Sequence, residues 1–135
     1  MRTEKDVEAY LTKMNRRFSP LEDKHGTYVL RAASDSMPPI ALHVEPPLVV
    51  TRVNVGQAPK EDTAAFYKTL LSLNASTLVH TSFGIEDDNI VLTSALELEN
   101  LDYTELEALL DEIDVTLAEE VPSLAALAET SKPAS

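Results

Sequence analysis

Residues 70–113 read LLSLNASTLVHTSFGIEDDNIVLTSALELENLDYTELEALLDEI. The segment opens on the end of a helix, where Leu70 and Leu73 close an apolar stripe and Asn74 stops it. Leu78 to Ile85 and Ile90 to Leu98 follow as two strands. Glu86-Asp87-Asp88-Asn89 lies between them, and Asp and Asn favour turns because they bond their own backbone. Asp102 and Glu105 have capping-box spacing. Leu106, Leu109, Leu110, Ile113 and Leu117 then recur at helical intervals over about four turns. The segment predicts helix, hairpin, helix.

Upstream, Ala65, Phe66 and Thr69 extend the first stripe, giving a helix from Glu61 to Leu73. Before it, Gly56 to Pro59 closes a β-region of three strands. The first carries Tyr28, Leu30 and Ala32. The second alternates Ile40, Leu42 and Val44 with Ala41, His43 and Glu45. The third runs from Leu48 to Val55, after Pro46-Pro47. At the N-terminus, Thr3 and Asp6 form a variant capping box. Val7, Tyr10, Leu11, Met14 and Phe18 predict a helix from Glu4 to Arg17, stopped by Ser19-Pro20. Downstream, Pro122 is expected to interrupt the long helix, leaving a short final one at Leu124 and Leu127. Residues 130–135 read as a disordered tail. The order is helix, three strands, helix, two strands, helix. It predicts an α+β fold with a mostly antiparallel, five-stranded sheet and helices packed on it, as one domain over residues 1–129.

The 135 residues suffice to bury a core without a disulfide or metal staple. With no Cys and only 3 Gly, Cys-based metal sites and glycine-rich phosphate loops are excluded. No apolar run approaches the ~20 residues of a membrane span. Residues 1–6 are charged with no apolar stretch behind them, so no secretory signal is expected; a cytoplasmic protein is. The net charge of −12 is uneven: residues 1–68 hold 10 basic and 9 acidic side chains, residues 69–135 hold 1 and 14. Such a surface repels phosphate, which argues against nucleic acid and anionic membranes as partners. It suits a basic protein segment, and it equally serves solubility.

No constellation of catalytic residues emerges. His25, His43 and His80 lack zinc-pair spacing. Glu45 shares a strand face with His43, but a zinc site needs three or four ligands. The acidic turn is contiguous, unlike a calcium loop. Ser34-Asp35-Ser36 has loop composition, and there is no Gly-x-Ser-x-Gly elbow. Glu105, Asp111, Glu112 and Asp114 read as the solvated face of an acidic helix. The chain is therefore not expected to be an enzyme or to hold a cofactor or metal.

The Leu48–Val55 strand is apolar on both faces. Val49, Val53 and Val55 line one; Leu48 and Val50 line the other, with Arg52 beside them. The second set is either a partner surface or half of a two-sided core closed by the N-terminal helix. Leu48, Val50 and Arg52 are the candidate protein-binding residues.

The quoted segment, with the trailing EEVPSLAAL, resembles the type III secretion chaperone-like superfamily, which includes the Tir chaperone (CesT) group and the YbjN group; the trailing residues resemble the YbjN group more. The resemblance implies an α+β domain that pairs into homodimers and has a non-enzymatic role. It implies either a chaperone-like grip on an extended client segment, at a sheet edge or apolar groove, or a regulatory or structural dimer with no such client. The helix phase predicts that Leu110→Ala costs roughly 2–5 kcal/mol. It also predicts that Glu112→Ala stays within about 0.5 kcal/mol; urea denaturation of the two variants compares them.

Overall fold

The computed structural model describes the backbone of residues 2–61 and 63–130. Of the expected tail, residues 130–135, Thr130 ends the last helix instead, and residues 131–135 lie outside the described residues. The elements are α1 (Glu4–Lys13), β1 (Phe18–Pro20), β2 (Thr27–Leu30), β3 (Ile40–Glu45), β4 (Leu48–Gln57), α2 (Thr63–Ser76), β5 (Thr81–Glu86), β6 (Asn89–Glu97) and α3 (Tyr103–Thr130). The expected order stands, with a short strand added after α1. The sheet therefore has six strands, in the order β1-β2-β3-β4-β6-β5, and every neighbouring pair is antiparallel.

The extra strand exists because α1 ends early. Its N-terminus is capped as expected, with the Thr3 N–H donating to the Asp6 carboxylate at 2.7 Å. At its other end Asn15 takes a left-handed φ of 59°. The Asn15 N–H donates to the Thr12 carbonyl, and the Arg16 N–H donates to the Leu11 carbonyl. This is a Schellman closure, with Asn at the position that glycine usually fills. It ends the helix at Lys13, four residues before the expected end at Arg17, and Phe18 leaves the helix to pair with Leu30. The freed Arg16 side chain reaches α3, where its Nη1 and Nη2 donate to Asp114 at 3.1 and 2.8 Å. Asp114 also accepts from the Ala33 N–H. That carboxylate fixes two loops to α3 and is not the solvated group the sequence predicts.

Gly26 works under a tight constraint. Its φ is +80°, and a Cβ there would stand 3.0 Å from the Val44 carbonyl oxygen. The β5–β6 turn contains Asp87 and Asp88, both at positive φ, which matches the twist of the strands they join. Pro46 and Pro47, joined by a cis bond, connect β3 to β4.

All three helices contribute to one core. Val7 and Leu11 of α1, Phe66 and Leu70 of α2, and Leu106, Leu109, Leu110, Ile113 and Leu117 of α3 cluster with Tyr28, Leu30, Ile40, Leu42, Val49, Val53, Phe83 and Leu92 from the strands. The α3 stripe matches the expected phase residue for residue. The helix does not break at Pro122. Proline removes one N–H, leaving the Ala118 carbonyl without its intrahelical donor. Ala118 and Pro122 are both exposed, so water can take that place, and burial of Leu124 holds the helix on course. Pro122 thus fails to separate a short final helix as expected.

Leu110 has no exposed surface. Its truncation to Ala is expected to cost roughly 2–5 kcal/mol, read as a lower urea midpoint with an unchanged slope.

Candidate functional site

Burial along β4 alternates. Val49, Thr51 and Val53 are buried toward the helices, while Leu48, Val50 and Arg52 point to the opposite face. The register extends that opposite face into rows. Thr27, His43, Val50 and Ala95 stand side by side across four strands. Val29, Ala41, Arg52, Thr93 and Ser82 form the next row. Glu45, Leu48 and Glu97 form a third. Because α1 adds Val7 and Leu11 to the helix-side core, it does not close the second face. Among the described residues no element covers these rows. Leu48 is 38% exposed, and Val50 is half-buried among its row neighbours. Arg52 donates to Glu86 on β5 at 2.8 Å, and both side chains are about half exposed. Such an exposed pair adds little stability and leaves the guanidinium reachable. All three candidate binding residues therefore share one open face.

The sheet edges are much less available. On either side of β1, the Leu21 N–H donates to the Thr27 carbonyl and the Arg31 N–H to the Arg17 carbonyl. By antiparallel alternation, Phe18 and Pro20 face outward. Pro20 has no N–H, so this three-residue edge offers one outward donor. On β5 the outward groups of Phe83 are already used. The Phe83 N–H donates to Asn74 Oδ1 at 2.7 Å, and the Asn74 amide donates back to the Phe83 carbonyl at 3.1 Å. Asn74 is thus no helix stop. It sits inside α2 and stands in for a neighbouring strand.

Just before β5, Glu112 of α3 accepts from the backbone N–H groups of Val79, His80 and Thr81. It also accepts from Thr81 Oγ1 at 2.6 Å. Burial pushes this carboxyl up, but the hydrogen bonds from Thr81, Val79 and His80 outweigh burial and hold it below the usual carboxylate range. The sequence reading of Glu112 as an idle solvated carboxylate is therefore wrong. Helical phase places it beside the apolar stripe, and no local pattern reveals that its partners are backbone donors over 30 residues away. By contrast, Asp102 and Glu105 form the expected capping box, each accepting from the other's N–H.

The histidines stay apart from any metal-binding set; no group of three or more His, Asp and Glu side chains suited to a metal exists among the described residues. His43 Nδ1 lies 2.7 Å from Thr27 Oγ1 and its Nε2 is 3.9 Å from Glu45, both on the open face. His25 meets Glu4 at 2.8 Å. No helix among the described residues is long and apolar enough to cross a membrane.

The fold, a six-stranded antiparallel sheet with its helices on one face, is similar to that of type III secretion chaperones and of YbjN. The CesT_Tir_1 family model matches residues 1–130, and the chain belongs to that family. Among solved structures it is similar to a chain of the heterodimeric ExoU–SpcU complex from the type III secretion system of Pseudomonas aeruginosa. That match has 19% identity and a TM-score of 0.69, covering 86% of this chain and 95% of the other. It is similar to YbjN from E. coli at 12% identity and TM-score 0.65, covering 87% and 89%. It is also similar to the Yersinia pestis type III secretion chaperone SycH, solved with a fragment of YscM2, at 17% identity and TM-score 0.60, covering 90% and 98%. No curated protein matches the sequence significantly.

Removing the Glu112 carboxylate leaves three backbone donors and one hydroxyl without their acceptor. Glu112→Ala is therefore expected to cost roughly 1–3 kcal/mol, not the negligible amount expected of a solvated site. A carboxyl lowered in the folded state stabilises fully above its ordinary pKa, and that contribution is lost as pH falls through the lowered value. Urea midpoints of the parent and Glu112→Ala should differ at pH 7 and converge as pH drops below the usual carboxylate range.

Proposed function

We propose that this chain is a non-enzymatic, chaperone-like binding protein that lays a segment of a client protein across the open sheet face at Leu48, Val50 and Arg52. The observation that carries the reading is the uncovered set of apolar and small side chains on that face, combined with edges that offer few free donors. Addition of a client strand to the sheet needs a row of outward N–H and C=O groups. Pro20 on one edge and Asn74 on the other leave little of that row, so the face is favoured over the edge. Glu45 and Glu97 flank Leu48 in its row, which suits a client segment mixing apolar and basic residues. Membership of the CesT_Tir_1 family supports the same reading, as do the complexes in which similar chains were solved: ExoU–SpcU, SycH with the YscM2 fragment, and HopA1–SchA. Action inside the cytoplasm, and no role for nucleic acid or membrane, fit the acidic surface.

A second reading is a regulatory or structural homodimer without an extended client. One arrangement favours it. Arg52 lies on the same strand face as Leu48, so a two-fold axis near Val50 would set each Arg52 against the Glu45 and Glu97 of the second copy. Such an interface buries the same patch twice.

One double variant, Leu48→Asp with Val50→Asp, tests both. Purified parent protein is measured by sedimentation equilibrium across micromolar concentrations, and both forms are used to capture partners from the native cell at moderate salt, with bound proteins identified by mass. The client reading expects a protein retained by the parent and lost by the variant, with the circular dichroism of the two alike. A parent of dimeric mass that the variant converts to single chains, with no client captured, supports the homodimer. A client held equally by both forms overturns the assignment of this face.

A further inference from the structure

A second surface lies on the helix side of the molecule, where the chain passes from α2 into β5. The α2 C-terminus is closed by the Thr77 and Leu78 N–H groups, which both donate to the Leu73 carbonyl. The next residues are pinned to α3 through Glu112. This leaves a groove of about 250 Å³ between the connection and α3, lined by Thr77, Leu78, Glu112, Val115, Glu119 and Glu120, with Asp111 at its rim. Sites for whole small molecules run roughly 300–1,000 Å³, so this groove has room for one or two side chains. Its floor is apolar, from Leu78 and Val115. Val115 is 53% exposed, and the adjacent Val79 is 80% exposed.

The rim carries charge without a counterpart. Glu112 spends its carboxylate on β5 donors. None of Asp111, Glu119 and Glu120 forms an ion pair with a Lys or Arg among the described residues. Residues 69–130 contain no Lys or Arg at all. An apolar floor under unpaired carboxylates matches the chemistry of a Lys or Arg side chain, whose methylene stem lies on apolar surface while its charged head stays at the rim. Alternating a basic with an aliphatic residue fills floor and rim together.

We propose that this α2–α3 groove docks a basic, leucine-containing segment of another protein, at a surface separate from the open sheet face. The reading does not depend on that face being a client site. The carboxylates set attraction and orientation, and the Leu78–Val115 floor adds contact that charge alone does not provide.

The test uses a fluorescein-labelled peptide of three Leu-Arg-Ala repeats and the full chain, followed by anisotropy at moderate salt. The expected result is saturable binding that weakens about tenfold in Glu119→Lys with Glu120→Lys. The same charge change at a distant exposed site, Glu22→Lys with Asp23→Lys, should leave affinity within about twofold. Replacing the peptide leucines by serine should weaken it as well, and so should Val115→Ser, a second variant in case the lysine pair perturbs folding. Equal losses at the groove and at residues 22 and 23 would mean diffuse attraction to an acidic protein and overturn the proposal. So would indifference to the leucines, no binding, or groove variants that change the sedimenting mass and leave peptide affinity alone, since that makes the groove a contact between copies.

Discussion

The pairing of β4 with β6 joins the two halves of this chain into one sheet. It is the longest ladder in the molecule, running from Leu48 against Glu97 to Gln57 against Asn89. Everything on either face depends on its parity. With Val53 opposite Leu92 and Val49 opposite Leu96, apolar side chains meet the helices. A slip of one residue would turn one strand's set outward and bring Arg52 or Glu97 into the core. Two features hold the register. Thr51 and Ser94 face each other within the helix-side layer and share a hydroxyl–hydroxyl hydrogen bond. Near the far end a bulge lets Gly56 oppose Ile90, with Asn54 Oδ1 accepting from the Gly56 N–H. Val55 is absorbed there and still packs against the core.

The same parity divides labour between the faces. The helix side spends its apolar groups on α1, α2 and α3, and the far side is left with small, apolar and charged residues in ordered rows. The strand edges are filled from within: Asn74 offers an amide where a neighbouring strand would offer a peptide group, and proline removes a donor on the opposite side. Natural sheets blunt their edges in this way to avoid pairing with other chains.

Much of the fold was legible from side-chain periodicity. The α3 stripe, the alternation in β3 and β4, and the capping box at Asp102 and Glu105 are local patterns, and local patterns survive into the structure. Leu48, Val50 and Arg52 could be placed together because a strand alternates its side chains with period two. The features that sequence reasoning missed all depend on partners distant in the chain or on backbone conformation. Asn15 ends α1 through a positive φ that any of several residues could have supplied. Asn74 reads as a stop until Phe83 is seen beside it. Glu112, like Asp114, is an ordinary acidic residue on a helix until β5 or Arg16 meets it. Pro122 reads as a break because its lost hydrogen bond is visible in the sequence, while the solvent-facing position that makes the loss tolerable is not.

That proline divides α3 in a further respect. The helix has no hydrogen bond from residue 122 back to Ala118, so its last turns are tied to the rest by one link fewer. Among residues 122–128, Leu124 is the one buried side chain, with Leu127 and Ala128 half-buried against the core. Stability in a folded chain is graded, and segments with few buried contacts open on their own. The end of α3 is such a segment, so its amide protons are expected to exchange through a local opening that leaves the Leu106–Leu117 stripe intact. In shape the helix is a single rod; in stability two units are expected.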